Sequence, residues 1–211
     1  MPQLPNFDHE NKLWSQGYLV AGVDEVGRGA LAGPVVATAV ILPQGIDSPW
    51  LSLVRDSKQL TPAQRENLLE PIQREAIAVG TGIISSNIID SSGILKATWL
   101  AMQTAVQNLP RSPDFLLVDG TKIPKLSTRQ QKIIRGDKIC LSIACASIIA
   151  KVTRDRIMTE LDQTYPQYGL ARHKGYGTKE HLACLQQLGP SSIHRLSFAP
   201  VKEASKACQE Q

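Results

Sequence analysis

Apolar residues first gather between Tyr18 and Val23, and the stretch leads straight into the acidic pair Asp24-Glu25, which reads as a strand. Gly27-Arg28-Gly29 breaks it, and Pro34 to Leu42 is a second, almost wholly apolar strand. Continuous apolar character predicts burial on both faces, as in a sheet covered by helices. Thr61-Pro62-Ala63-Gln64 is a helix start: threonine caps, proline fits the first helical position, and glutamine three residues on completes a capping box. Leu68, Leu69, Ile72 and Ala76 follow at helical spacing, with Pro71 among them predicting a kink or an early stop. Ala76 to Ile84 reads as a third strand, and Leu95, Trp99, Met102, Val106 and Leu109 mark an amphipathic helix ending before Pro110.

Further along, Phe115 to Val118 is a short buried strand ending at Asp119-Gly120, and another around Lys132 to Ile134 leads to Gly136-Asp137. A long helix follows, with Leu141, Ala144, Ile148, Val152, Ile157 and Leu161 on its apolar face. From about Tyr165, glycine and proline breaks predict a helical subdomain, and a polar tail begins near Lys202. Strands first, then strands mixed with helices, predict an α/β fold with helices on both sides of a sheet.

Composition narrows this. At 211 residues, 42% hydrophobic and 20% charged, the chain suits one globular domain, with room for a small second lobe but not for two full domains. The net charge of +4 is a modest excess, compatible with a polyanionic partner. Cys140, Cys145, Cys184 and Cys208 match neither a zinc knuckle nor a redox pair, and the first two read as small core residues. With Asp8 and Glu10 and no apolar run, the N-terminus is not a signal peptide. The longest apolar stretch, Ala30 to Leu42, is too short to span a bilayer. The expectation is a cytoplasmic protein without a membrane partner.

Chemistry enters through carboxylates at strand ends. Asp24 and Glu25 close the first strand, Asp119 closes the fourth, and Asp137 stands at a strand-to-helix junction. If those strands are neighbours, all four converge at one edge of the sheet. Crowded carboxylates repel unless a cation neutralises them, and hard oxygen donors suit Mg²⁺ or Mn²⁺. Adjacent strand residues point to opposite faces, so Asp24 and Glu25 share one metal only if the strand ends or bulges at Glu25. Singly, Asp119 before a glycine also reads as a turn former, and Asp137 as a helix N-cap. Asp24-Glu25 is harder to dismiss, because two carboxylates after an apolar strand are costly to bury without a counter-ion.

The Gly27-Arg28-Gly29 loop has the spacing of neither a P-loop nor a dinucleotide fingerprint. Its glycines let backbone approach a ligand, and its arginine supplies a phosphate-binding fork. Lys122, Lys125, Arg129, Lys132 and Arg135 lie between Asp119 and Asp137, followed by Lys151, Arg154, Arg156, Arg172, His173 and Lys174. Such a run is either a solvated face or the phosphate-holding surface of a nuclease. The four histidines are too scattered along the chain to form a zinc site, and His173 and His194 read as local hydrogen-bonding residues.

Residues 24 to 34, Asp-Glu-Val-Gly-Arg-Gly-Ala-Leu-Ala-Gly-Pro, resemble the first signature block of bacterial type 2 ribonucleases H, ribonucleases HII. Further blocks match in order: Asp56-Ser57-Lys58-Gln59-Leu60, Val118-Asp119-Gly120, Gly136-Asp137, and Ala146-Ser147-Ile148-Ile149-Ala150-Lys151-Val152 with Arg154-Asp155. His173-Lys174-Gly175-Tyr176-Gly177-Thr178 and His194-Arg195 with Ser197-Phe198 complete the set, so the resemblance spans about residues 18 to 200. Lys138, Cys140, Leu141 and Cys145 depart from the family's usual small residues, at positions that are not proposed ligands. Type 3 enzymes usually lack the arginine between the loop glycines, so type 2 is the better fit.

The resemblance implies a ribonuclease H-like fold: a five-stranded mixed sheet flanked by helices, with a C-terminal helical part. The corresponding boundaries are an N-terminal extension 1–17, a catalytic domain 18–200 whose helical part starts near 165, and a polar tail 201–211. It implies that Asp24, Glu25, Asp119 and Asp137 bind two Mg²⁺ or Mn²⁺ ions for hydrolysis of the RNA strand of RNA/DNA hybrids. It implies cutting 5′ of ribonucleotides embedded in duplex DNA, leaving a 3′-hydroxyl and a 5′-phosphate. Gly27, Arg28 and Gly29 would sense the 2′-hydroxyl, Tyr176 would pack at the sugar of the RNA-to-DNA junction, and Lys58 and Lys174 match positions near the nucleic acid. A monomer is the default. Two rivals stand beside this reading: a catalytically silent hybrid-binding module, and another enzyme of the fold such as a transposase or junction resolvase.

Overall fold

The structure, a computed structural model, describes residues 4–209, so residues 1–3 of the expected N-terminal extension and 210–211 of the expected tail lie outside it. In chain order the elements are α1 (Asp8–Trp14), β1 (Val20–Val26), β2 (Val35–Ile41), α2 (Pro62–Glu75), β3 (Ala78–Ile84), α3 (Ser86–Ser92) and α4 (Ile94–Gln107). There follow β4 (Phe115–Asp119), β5 (Arg129–Ile133), α5 (Leu141–Thr164), α6 (Leu170–His173), α7 (Lys179–Leu188) and α8 (Ala199–Gln209). The strands form one mixed sheet in the order β3-β2-β1-β4-β5, with β1 antiparallel to β2 and parallel to β4, and β4 parallel to β5. The expected α/β fold with a five-stranded mixed sheet and flanking helices is therefore present.

The domain expected over 18–200 is built of two compact units interleaved in sequence. The first takes the chain up to Val26, Val36–Ile83 and Trp99–Val152; the second takes Gly27–Val35, Ile84–Thr98 and the chain from Thr153. No linker marks the change: the chain passes between units at the end of β1 and within β2, β3, α4 and α5.

In the first unit, the capping box of α2 forms as its sequence predicts: Gln64 N–H donates to Thr61 Oγ1 at 3.2 Å, and Thr61 N–H donates to Gln64 Oε1 at 2.8 Å. Of the kink or early stop expected at Pro71, the early stop does not occur, and α2 runs on to Glu75. The missing proline N–H leaves the Asn67 carbonyl, on an exposed residue, to water, while Leu68, Leu69 and Ile72 hold both flanks in the core. The first turns of α5 are buried all round rather than on one face, from Leu141 to Ala150. Small residues allow this, Ser142, Ala144, Cys145, Ala146 and Ser147 among them, and Cys140 and Cys145 are buried free thiols as expected.

The segment expected as an N-terminal extension is part of this unit. Leu13 and Trp14 of α1 pack with Val20, Leu117, Ile133, Cys140 and Ile143. Asn6 N–H donates to the Ile139 carbonyl at 3.2 Å, and the Asn6 carbonyl accepts from Leu141 N–H at 3.1 Å. The buried Glu10 carboxylate takes the Ser142 N–H at 2.7 Å, capping α5 from another element.

The second unit has its own core of Leu31, Ala32, Met158, Tyr168, Leu170, Leu185, Val201 and Ala204. The segment expected as a polar tail contributes Val201 and Ala204 to it from α8. Among the described residues, no helix is long and apolar enough to cross a membrane.

Gly22 sets the distance between β1 and α5, since a Cβ there would stand 2.2 Å from the Ser142 carbonyl carbon and 2.4 Å from Ile143 N. Backbone cannot move aside as a side chain can. Gly22→Ala should therefore cost about 3 kcal/mol, read as a lower urea midpoint at unchanged m. An unchanged midpoint would show that the helix can retreat freely.

Candidate active site

Parallel pairing sets Val23 opposite Val118, so the next residue of each strand, Asp24 and Asp119, stands at the same level and on the same face of the sheet. Asp137 comes from the short 3₁₀ turn Gly136–Lys138 beyond β5, where the Gly136 N–H donates to Asp119 Oδ1 at 2.6 Å. Three of the expected acids thus meet at one edge of the first unit. Glu25 differs. The strand neither ends nor bulges there, contrary to expectation: Asp24, Glu25 and Val26 pair in unbroken register with Thr38, Ala37 and Val36. Pleating sends the Glu25 side chain to the opposite face, although its charge still acts on Asp24.

Burial pushes the Asp24 carboxyl well above the usual carboxylate range, and the charges of Glu25 and Asp119 push it further. A hydrogen bond with Ser147 and the Glu25 N–H, which donates to Asp24 Oδ1 at 2.7 Å, work the other way. Asp119 is also raised, by burial first and then by Asp137, with the Gly136 N–H and Lys58 opposing. Lys58 Nζ stands 3.4 Å from Asp137 Oδ2 and 4.0 Å from Asp56 Oδ1. Burial works against its charge, but Asp137, Asp56 and Asp24 together raise its pKa. Lys138, one of the departures noted above, pairs with Asp56 at 3.5 Å.

Among the described residues no group of three or more His, Cys, Asp or Glu side chains already forms a metal cage. The donors nevertheless fit a hard divalent cation. They are carboxylate oxygens, buried and mutually repelling, and a cation would offset both the burial and the repulsion that lift Asp24 and Asp119. Lys122, Lys125, Lys132 and Arg135 are exposed, whereas Arg129 bonds the Tyr18 hydroxyl and lies over its ring.

The remaining expected residues lie in the second unit. Gly27 has φ +91° and is buried, while Arg28 and Gly29 are exposed. Leu31 N–H donates to the Gly175 carbonyl at 2.7 Å, Gly33 N–H to Ile193 at 2.9 Å, and Ala30 bridges Tyr176. The loop and the turn carrying Tyr176 are thus one construction. Tyr176 is half-buried under the Arg154 guanidinium, 5.2 Å from its ring centroid. Lys174 Nζ is engaged with Thr159 Oγ1 at 2.6 Å.

Sequence reading missed several participants. Ser147 lies on α5 one helical turn from Ile143, its hydroxyl 2.9 Å from that of Ser57. Its signal was a hydroxyl in an otherwise apolar helical run. The histidines, scattered in sequence, are gathered in space: His173 stacks on His181 with centroids 4.3 Å apart, and His181 Nε2 is 3.0 Å from His194 Nε2. Hydrogen-bond roles fix their tautomers. Ser191 N–H donates to His194 Nδ1 at 3.0 Å, so the His194 proton sits on Nε2 and goes to His181 Nε2. His181 then donates from Nδ1 to the Tyr176 carbonyl at 3.0 Å. The reading as local hydrogen-bonding residues holds, on contacts that bind distant turns together.

Residues 21–201 match the family model described as Ribonuclease HII. The ribonuclease HII of Dehalococcoides mccartyi is 54% identical over 199 residues, covering 94% of this chain and 94% of that one. Among solved structures, the ribonuclease H2 from Pyrococcus horikoshii has a TM-score of 0.76 at 25% identity, covering 91% of this chain and 99% of its own. Bst RNase HIII in complex with Mn²⁺ has a TM-score of 0.71 at 21% identity, covering 91% and 70%, a likeness of fold.

Two titrations follow. The folded Asp24 pKa lies above its unfolded value, so metal-free stability should fall as pH rises from about 4 through the raised value. Asp24→Asn should therefore melt higher than the parent in EDTA, by about 2–8 °C at pH 8 and by less at pH 5. An equal or lower melting temperature at both would remove the charge-crowding account. His194 is pulled down to about 4, chiefly by burial and then by His181. The unfolded chain takes up that proton first, so stability should drop as pH falls from about 6.5 to 4, by up to about 3 kcal/mol from this residue. His194→Gln should flatten the urea-midpoint profile across that window; an unaltered slope would assign the drop elsewhere.

Proposed function

Since the chain belongs to the ribonuclease HII family and is a ribonuclease, we propose that it cuts 5′ of ribonucleotides embedded in duplex DNA and within the RNA strand of RNA/DNA hybrids. The observation that carries the chemistry is the meeting of Asp24, Asp119 and Asp137 at one sheet edge, with Asp24 held above its usual range by burial first and then by the charges of Glu25 and Asp119.

Asp24, Asp119 and Asp137 would hold divalent cations, Mg²⁺ or Mn²⁺, and Glu25, on the other face of β1, would act on that set through its charge on Asp24. Two such ions, when bound, lower the pKa of an attacking water and stabilise the leaving 3′-oxygen. The protein's own part is to keep the carboxylates in register. Gly136 N–H fixes one oxygen of Asp119, the Glu25 N–H one oxygen of Asp24, and Ser147 supports Asp24 from the helix. Lys58, whose side chain is 79% exposed and whose ammonium stands beside Asp137, is placed to reach a substrate phosphate.

Recognition rests on the 2′-hydroxyl, which distinguishes RNA from DNA. The exposed residues Arg28 and Gly29 and the Tyr176 ring supply the surface that meets the sugar. A polar group left unpaired by a deoxyribose gives the discrimination. Lys174, whose ammonium is occupied by Thr159, has a weaker claim than its neighbours.

Cleavage of a DNA duplex with one ribonucleotide, with and without Mg²⁺ or Mn²⁺ and beside an all-DNA control, tests this. One metal-dependent cut 5′ of the ribonucleotide is expected, ending in a 3′-hydroxyl and a 5′-phosphate. Asp119→Asn should lose cleavage by at least about 100-fold while still binding the hybrid. Arg28→Ala should lose its preference for the ribonucleotide strand. Cleavage only inside long hybrids would withdraw the junction reading, and binding without cleavage would favour a silent binding module.

A further inference from the structure

Two arginines in the second unit, Arg154 on α5 and Arg195 ahead of α8, have no surface exposed. A charge taken out of water is costly unless it is paired and hydrogen-bonded. Among the described residues, neither guanidinium has a carboxylate within ion-pair reach. Both spend their donors on backbone carbonyls instead. Arg154 donates from Nε to Pro34 at 2.9 Å, from Nη2 to Ala32 at 3.1 Å, and from Nη1 to Lys174 at 2.9 Å. Arg195 donates from Nε and Nη2 to Gly33 at 3.1 and 3.0 Å, and from Nη1 to Arg28 at 2.9 Å. All but one of these carbonyls belong to the stretch Arg28–Pro34.

The fit extends to the loop's entrance. A Cβ at Gly27 would stand 2.2 Å from Arg154 Nε, so that glycine is required by contact as well as by its positive φ. Arg154 also reaches the other side of the recognition surface, lying over the Tyr176 ring and holding the Lys174 carbonyl. Burial pulls the Arg195 pKa down to about 9, with Arg154's charge adding to the effect, so it stays cationic at neutral pH. A planar fork spans several carbonyls in one geometry, which a lysine ammonium on a flexible stem does not.

We infer that Arg154 and Arg195 are positioning residues for ribonucleotide recognition. Their guanidiniums clamp the carbonyl edge of the Arg28–Pro34 backbone, so that Arg28 and Gly29 meet the sugar from one fixed position relative to Tyr176. The inference rests on the recognition role given to that loop above.

The test is a double-mutant cycle on the full chain with Arg154→Lys, Arg195→Lys and Arg28→Ala, alone and combined. kcat and KM are read on a single-ribonucleotide duplex and on an all-RNA hybrid strand, with amide hydrogen exchange of residues 28–34 read alongside. Each lysine variant, folded by circular dichroism, should lose about tenfold or more in kcat/KM on the single ribonucleotide. It should lose clearly less on the long hybrid, and amides 28–31 should exchange faster. In the Arg28→Ala background either lysine change should add less than about twofold. Additive losses, equal losses on both substrates that track melting temperature, or unchanged exchange would each overturn the positioning role. If the parent chain cuts neither duplex, the functional reading fails, and the clamp is then judged by the exchange data alone.

Discussion

Parallel pairing of β1 with β4 is the constraint on which the acid site depends. A slip of one residue would turn Asp119 to the other face and part it from Asp24. The register is protected by burial of Val20, Val23, Leu116, Leu117 and Val118, which would be exposed or mispacked in any other alignment. It is also protected from behind, because only a residue without a side chain at Gly22 lets α5 lie against β1. That contact in turn brings Ser147 up to Asp24 and Ser57, so sheet and helix hold the same carboxylate. The repulsion among the acids is thus imposed by packing that is itself apolar.

Much of this was legible before any coordinates. The capping box of α2 formed to the atom, because its determinants are local: a threonine, a proline and a glutamine at fixed spacing. Acids at strand ends were also readable, since a carboxylate after an apolar run has few bland explanations. What escaped was non-local. Pro71 carried a local warning that core contacts on both sides of it overruled. Helix α3 is too short, with too mixed a composition, to show a period. The Asp24-Glu25 pair invited a bulge that the unbroken ladder to β2 does not contain. His173, His181 and His194 gave no spacing signal, because their meeting depends on turns far apart in the chain.

The second unit is stabilised differently from the first. Its apolar cluster is accompanied by buried arginines and by imidazoles kept neutral, each satisfied by backbone. Polar interiors of this kind add little net stability compared with well-packed apolar ones, but only a single arrangement satisfies them. A loop with the role proposed for it, distinguishing one hydroxyl from a hydrogen, would need that uniqueness more than extra free energy. The two guanidiniums and the histidine relay act on opposite sides of the same construction, one on the loop's carbonyls and the other on the Tyr176 carbonyl.

The docking of Glu10 onto Ser142 joins residues 132 positions apart, as Asn6 does with Ile139 and Leu141 nearby. During synthesis α1 emerges ahead of every strand of the sheet, yet its partner on α5 follows 132 residues later. Until then its leucine and tryptophan have nothing permanent to pack against, and β1 waits likewise for β4. Contacts of such long sequence separation must be closed late and against chain entropy, which slows folding and leaves apolar surface open in the interval. The residues of α1 are therefore among the last of the described residues to reach their final places.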